Sequence, residues 1–517
     1  MIKNIKNKSL LNLNASISIS DILEKNSKNF EKKIFLIDHT SKKIKNITYF
    51  EFNNYVNYCC GYFKNLGLIK RDIISLILDN SVAYLILYFA SIRYGTILNP
   101  LPPTLGKSII EEKLADVNPK IIFTNLNHEL KKNKRKIHNI DTDDIEKFIR
   151  LITKKSSKKI TKYKAKKKDT ALLYYSSGTT GKSKIIEYSN LAILENQKAL
   201  INSKLVCKNN IHLSFLPLYH TASLRYSIKF NLCVGGTVVL FKNFWSLKDD
   251  IWKIINKYKI NYFQAVPTIL NVIVNSNFKK YKKPKSIDYI GSGSSILPGK
   301  LLKNFQSKFN IKISNLYGLS EIGCSHFDNP FLKKKKLGTI GKILPGFKYK
   351  IFINKDLSTN TKKIGEFGVK SQTLLSNYYK NKKLFLKSFK DGYFLTGDYV
   401  SVDKKGTFFY IDRKKDLIIK GGVNILPSEI ENTIQNFKGV KEVAVVPNFD
   451  EFYGENICCF IVPKNKFKID LKKIDSFCQK SLGAFKKPEK YIILDNLPKG
   501  ISGKILKLEL KKIINEK

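Results

Sequence analysis

Short apolar runs alternate with longer segments of helical spacing, and this alternation constrains the chain most. Arg71–Leu78 reads as a buried strand, Ser81–Tyr94 as a helix and Lys120–Thr124 as another strand. Such alternation predicts a parallel sheet covered by helices. The most apolar stretch, Ile73–Ile92, is broken by Asp79 and Asn80. A membrane span needs about 20 unbroken apolar residues, so this stretch predicts strand, turn and helix. Further strands are expected at Ala171–Tyr175, Thr237–Phe241, Ile260–Gln264, Ile287–Ile290 and Ile311–Leu316. After about residue 365 short strands and turns dominate, as in Gly392–Leu395 and Thr407–Ile411. The last hundred residues form a pattern of their own. Helices are expected at Pro427–Asn436, Leu471–Leu482 and Lys504–Ile514, with strands at Val440–Val446 and Ile457–Val462. A domain boundary is expected near Lys414–Lys415. The length of 517 residues suits about two to four domains.

The formal net charge is +51, which raises the question of nucleic acid or an anionic membrane. Only six of the 93 basic residues are arginines: Arg71, Arg93, Arg135, Arg150, Arg225 and Arg413. Specific phosphate and base readout favours the arginine fork, whereas dispersed lysine reads as a solvated surface. No specific nucleic-acid binding is expected; residues 153–168 are taken as a basic surface loop. The eight cysteines show no Cys-x-x-Cys and no Cys/His pair at zinc spacing. Free core thiols in a reducing compartment are the expectation. Met1–Ser20 has no continuous apolar run of signal-peptide type. A cytoplasmic protein is therefore expected, with weak peripheral membrane contact left open and the oligomeric state unread.

Directly after Ala171–Tyr175 comes Tyr175-Ser176-Ser177-Gly178-Thr179-Thr180-Gly181-Lys182-Ser183-Lys184. Glycines allow positive φ, hydroxyls donate hydrogen bonds and lysines add charge, so such a loop can cradle phosphates. Two readings compete. Gly181-Lys182-Ser183 fits the end of a Walker A loop, but its leading glycine would fall at Ser176. Residues 177–184 fit Ser-Gly-Thr-Thr-Gly-x-x-Lys instead.

Downstream motifs decide between them: LPLYH at 216–220, GSGSS at 291–295, NLYGLSE at 315–321, TGD at 396–398, YIDRKKDLIIKGGVNILPSEIE at 410–431 and SGKILK at 502–507. With these six in order, the chain resembles the adenylate-forming superfamily of acyl-CoA synthetases, luciferases and peptide-synthetase adenylation domains, from about residue 25 to 515. The resemblance implies an α/β fold. Its large N-terminal domain (1–413) would have helix-covered sheets and a small barrel-like portion, and a small mobile α+β C-terminal domain (414–517) would follow. It implies ATP and Mg²⁺, with CoA as co-substrate.

The resemblance also implies roles. Ser177, Gly178, Thr179, Thr180, Gly181 and Lys184 would hold the ATP β- and γ-phosphates. Ser183 and Ile185 replace the usual proline and glycine, with modest effects expected on ATP affinity. Gly291, Ser292 and Gly293 would border the acyl pocket and adenine. Tyr317 would stack on the adenine beside Gly318, Ser320 would contact the α-phosphate and Glu321 would ligate Mg²⁺. Asp398 would accept hydrogen bonds from the ribose hydroxyls, assisted by Arg413. His220 would sit beside the acyl carboxylate, and Lys504 would serve adenylation. Gly421 and Gly422 would line the pantetheine channel, and Lys415 takes the hinge position.

Amino-acid-activating relatives place an aspartate near positions 220–223. Here that stretch is His220-Thr221-Ala222-Ser223, without a carboxylate. A buried ammonium without a partner is costly, so an apolar acid is expected, a fatty acid first and an aryl acid second. Free CoA is the expected acceptor, with a carrier protein as the alternative. A P-loop NTPase would yield ADP instead, and a nucleic-acid-binding module would bind in a salt-sensitive way.

Overall fold

The computed structural model describes residues 2–126, 130, 135–156, 165–176, 184–203, 205, 209–276, 284–332, 336, 338–358, 363–464, 467–500 and 505–515. It is a mixed α/β protein with a large N-terminal and a small C-terminal domain. Among the described residues the strands form three sheets of seven, 14 and five strands.

The seven-stranded sheet runs Asn377–Tyr378, Ile185–Ser189, Thr170–Tyr175, Ile97–Pro100, Ile73–Ile77, Ile121–Thr124 and Lys136–Asn139. From Thr170–Tyr175 onward the neighbours are parallel, as the alternating pattern predicts. The expected helix forms at Val82–Tyr94. Ser81 caps it by accepting from the Tyr84 N–H, and Gly95 closes it in the left-handed conformation. Eleven of its 13 residues are buried. A helix apolar on all sides belongs inside a core.

The 14-stranded sheet has a parallel half with Tyr262–Ala265, Tyr289–Ser292 and Ile313–Leu319 adjacent. Its antiparallel half carries Ile364–Ser371, Tyr393–Val402 and Phe408–Arg413. The change of texture after residue 365 falls in this half. The five-stranded sheet begins at Ile418–Lys420 and has separate apolar clusters on its two faces.

Three differences from the sequence expectation have local causes. The last helix starts at Lys507, not Lys504, because Ile505 bridges back to Lys499 and the Leu506 N–H donates to Pro498 O. Gly421 and Gly422 form the two-residue turn between Ile418–Lys420 and Val423–Ile425, with φ of 53° and 80°. That tight hairpin demands positive φ at both central positions, so both glycines have a backbone reason of their own. Finally, Ile185 packs with Ile97, Val117 and Leu173 in a small apolar cluster. Its side chain, unusual for the motif, is absorbed by the core.

Of the eight cysteines, the seven among the described residues are free and buried. Among those residues no helix is long and apolar enough to cross a membrane.

Candidate active site

Three motif segments leave the carboxyl ends of parallel strands, where open α/β sheets bind ligands. The phosphate-loop segment follows Thr170–Tyr175, the Gly291–Ser295 segment ends Tyr289–Ser292, and Tyr317–Glu321 ends Ile313–Leu319. Ser177, Gly178, Thr179, Thr180 and Gly181 lie outside the described residues, as does Lys504. The base of the phosphate loop is described: the Ser176 N–H donates to Lys184 O at 2.8 Å. Lys184 Nζ sits 5.3 Å from the centre of the Tyr378 ring.

Asp398 is the most enclosed acid of the site, with 1 % of its side chain exposed. Strand register sets Asp398 opposite Arg413. Arg413 Nε lies 2.8 Å from Asp398 Oδ1, and the Tyr317 hydroxyl donates to Oδ2 at 2.6 Å. Burial and the Asp398 charge together push the Tyr317 hydroxyl well above its ordinary range, so it stays a donor. The Tyr317 ring packs edge-on against His326 at 5.3 Å. Glu321 follows one turn later. Burial raises its carboxyl, opposed in part by its own backbone N–H and by the charges of Arg413 and Lys184. The fold thus brings Lys184, Tyr317, Glu321, Asp398 and Arg413 together from four segments.

Among the described residues no three His, Cys, Asp or Glu converge. One carboxylate beside bound phosphates suits Mg²⁺, which keeps waters and shares phosphate oxygens. Glu321 fits that pattern.

Two of the glycines expected to border the acyl pocket and adenine are also required by packing. A Cβ on Gly291 would collide with Gln264 and Tyr262, and one on Gly293 would come within 2.9 Å of Leu316 O. Ser292 is fully buried in its strand. Gly318 lies against the backbone of Gly323 and Cys324.

His220 Nδ1 accepts from the Ala222 N–H at 3.3 Å, which leaves the ring proton of the neutral form on Nε2. Burial, then the nearby Arg225 charge, lowers the His220 pKa to about 4. An unfolded histidine binds a proton below about 6.5, whereas the folded one waits until about 4. The fold therefore keeps this contribution above pH 6.5 and loses it as pH falls towards 4. His220→Asn is expected to make the fall in melting temperature between about pH 7 and pH 5 shallower than in the wild type. An unchanged or steeper fall in thermal unfolding would contradict that neutral state.

Sequence reasoning missed the segment beyond His220. Leu224–Lys229 is π-helical, a distortion frequent at functional sites. It carries two buried cations, Arg225 and Lys229, four residues apart in an otherwise apolar run. That spacing in an apolar segment was the available signal.

A model of the AMP-binding enzyme family matches residues 23–379, and a model of the AMP-binding enzyme C-terminal domain matches 429–504. This chain belongs to the AMP-binding enzyme family. Among curated relatives of the family, a long-chain-fatty-acid–CoA ligase of Bacillus subtilis is 27% identical over 485 residues, covering 86% of each chain. A 4-coumarate–CoA ligase-like protein of Arabidopsis thaliana is 25% identical, covering 88% of this chain and 83% of its own. ATP-bound MatB from Rhodopseudomonas palustris shares the fold, with a TM-score of 0.85 at 22% identity, covering 96% of this chain and 98% of MatB.

Proposed function

We propose that this chain activates a carboxylic acid with ATP and transfers the acyl group to CoA. A carboxylate oxygen attacks the α-phosphorus and pyrophosphate leaves. The CoA sulfur then attacks the acyl carbon of the adenylate and AMP leaves. The observation that carries this reading is the buried Asp398, held by Arg413 and Tyr317 beside Glu321 and Lys184.

Each group has a part. Asp398 accepts from both ribose hydroxyls, since a carboxylate accepts several hydrogen bonds. Arg413 keeps Asp398 charged and fixed. Thr179, Thr180 and Lys184 hold the phosphate tail, and Ser320 contacts the α-phosphate. Mg²⁺, held by Glu321, would draw charge from the phosphate oxygens. His220 presents its Nε2 proton beside the acyl carboxylate. Lys504 neutralises charge during adenylation, and the small domain, beginning after Arg413, turns about Lys415. Gly421 and Gly422 then flank the thiol path. A cytoplasmic setting belongs to the same reading, supported by the free, buried cysteines among the described residues.

The fatty-acid reading draws support from the fatty-acid ligase among the relatives. The coumarate-ligase relative supports an aryl acid. The test is AMP release across a panel of carboxylates, with and without CoA. AMP and acyl-CoA from at least one free acid are expected. ADP as the nucleotide product, or adenylate that no CoA consumes, would contradict the proposal.

A further inference from the structure

Beyond Thr221 a narrow cleft is lined by residues including Tyr174, Tyr188, Gln197, Arg225 and Lys229. Arg225 and Lys229 are 8% and 6% exposed. Among the described residues no carboxylate lines this cleft and neither cation forms an ion pair. Tyr188 neighbours both Arg225 and Glu321, yet no ion pair joins those two charges. The groups around the cations are neutral: Arg225 hydrogen-bonds to Tyr188 and Tyr226, neither of which supplies a counter-charge. Lys229 Nζ stands 6.0 Å from the centre of the Tyr88 ring, a weak substitute for an anion.

Buried cations are ordinarily paired, because their hydration is lost. Lysine can relieve that cost by shedding its proton, and burial with the Arg225 charge lowers Lys229 to about 7. Arginine cannot. The surrounding tyrosines stay neutral, since burial pushes Tyr174 and Tyr188 up. They can donate but not neutralise. Two buried cations and two tyrosines, Tyr174 and Tyr188, lining one cleft form a built anion site.

We infer that the acid this enzyme activates carries a second anionic group, such as a distal carboxylate or sulfonate, held by Arg225 and Lys229 while the first carboxylate reacts beside His220. The inference rests on the acid-activating reading above and replaces its methyl-ended chain by a charged end. A fatty acid's methyl terminus would leave both cations unpaired, and a free amino acid's ammonium would be repelled.

The test uses the full-length protein with ATP, Mg²⁺ and CoA, and measures AMP release for matched pairs: butanoate with butanedioate, hexanoate with hexanedioate, decanoate with decanedioate. At one length or more the dianion should exceed its partner in kcat/KM by about 10²-fold, the scale of one desolvated charge pair. Arg225→Gln should cut that ratio to below about tenfold, and Lys229→Gln should lower it in the same direction. The wild-type ratio stands even where a variant fails to fold. Monoanions equal or better at every length would overturn the inference and leave acid activation intact. So would Arg225→Gln lowering both members of a pair equally, since Arg225 would then hold the reacting carboxylate. AMP release from no acid at all would sink the acid-activating reading and the inference with it.

Discussion

Lys504→Ala should lower the adenylation rate by about 10²–10³-fold, the usual scale for one transition-state donor. The same variant should still convert supplied acyl-AMP and CoA to acyl-CoA at near the wild-type rate. The reason is a division of labour. Lys504 belongs to the small C-terminal domain, while Glu321 and Asp398 belong to the large one. In the proposed mechanism the lysine acts when the small domain closes in one orientation, and thiol attack uses the other. Lys507 on the last helix is anchored to Glu431 at 2.8 Å. Lys415 lies in the short 3-10 turn Lys414–Asp416, the hinge in the proposed mechanism. Lys415→Pro should reverse the pattern, because a fixed φ hinders the swing and so slows thiolation more than adenylation. Separate assays of the half-reactions check both variants. Equal slowing of both steps by Lys504→Ala would remove the division of labour.

Asp398→Ala should raise the KM for ATP by about 10²-fold, through loss of charge-assisted hydrogen bonds to the ribose. It should also destabilise the fold, because Arg413 and Tyr317 both lose their partner. With 24% of its side chain exposed, Arg413 is not fully desolvated. The cost should therefore lie near about 3 kcal/mol, the low end for breaking a buried pair. Asp398→Asn, which keeps an acceptor for Tyr317, should recover part of that stability but little of the ATP affinity. Denaturant unfolding and ATP saturation kinetics, run at a temperature where each variant is folded, separate the two effects. An unchanged KM would show that Asp398 serves only to hold Arg413 and Tyr317.

The parallel sheets were legible because strand and helix periods are local. Ser81, Gly95 and the apolar run between them are enough to define the Val82–Tyr94 helix. The pairing of Asp398 with Arg413 was legible only as two motif positions. What brings them together is an antiparallel register that no local pattern encodes. The resemblance places Gly291 and Gly293 beside the acyl pocket and adenine, and Gly421 and Gly422 along the pantetheine channel. In the fold, neighbouring atoms or a two-residue turn already require the first two and the last two respectively. The cleft proposed for the acyl end is harder to read for a related reason. His220–Ser223 holds no carboxylate, but the cations that line the cleft stand further along, on a π-helical turn whose spacing departs from both ordinary periods.

The most direct measurement tracks the oxygen atoms. The acid, labelled with ¹⁸O in its carboxylate, is incubated with ATP, Mg²⁺ and CoA, and the phosphate products are weighed by mass spectrometry. Attack of the carboxylate on the α-phosphorus predicts AMP carrying one ¹⁸O and pyrophosphate carrying none. Label in orthophosphate, with ADP as the nucleotide product, would contradict adenylate formation.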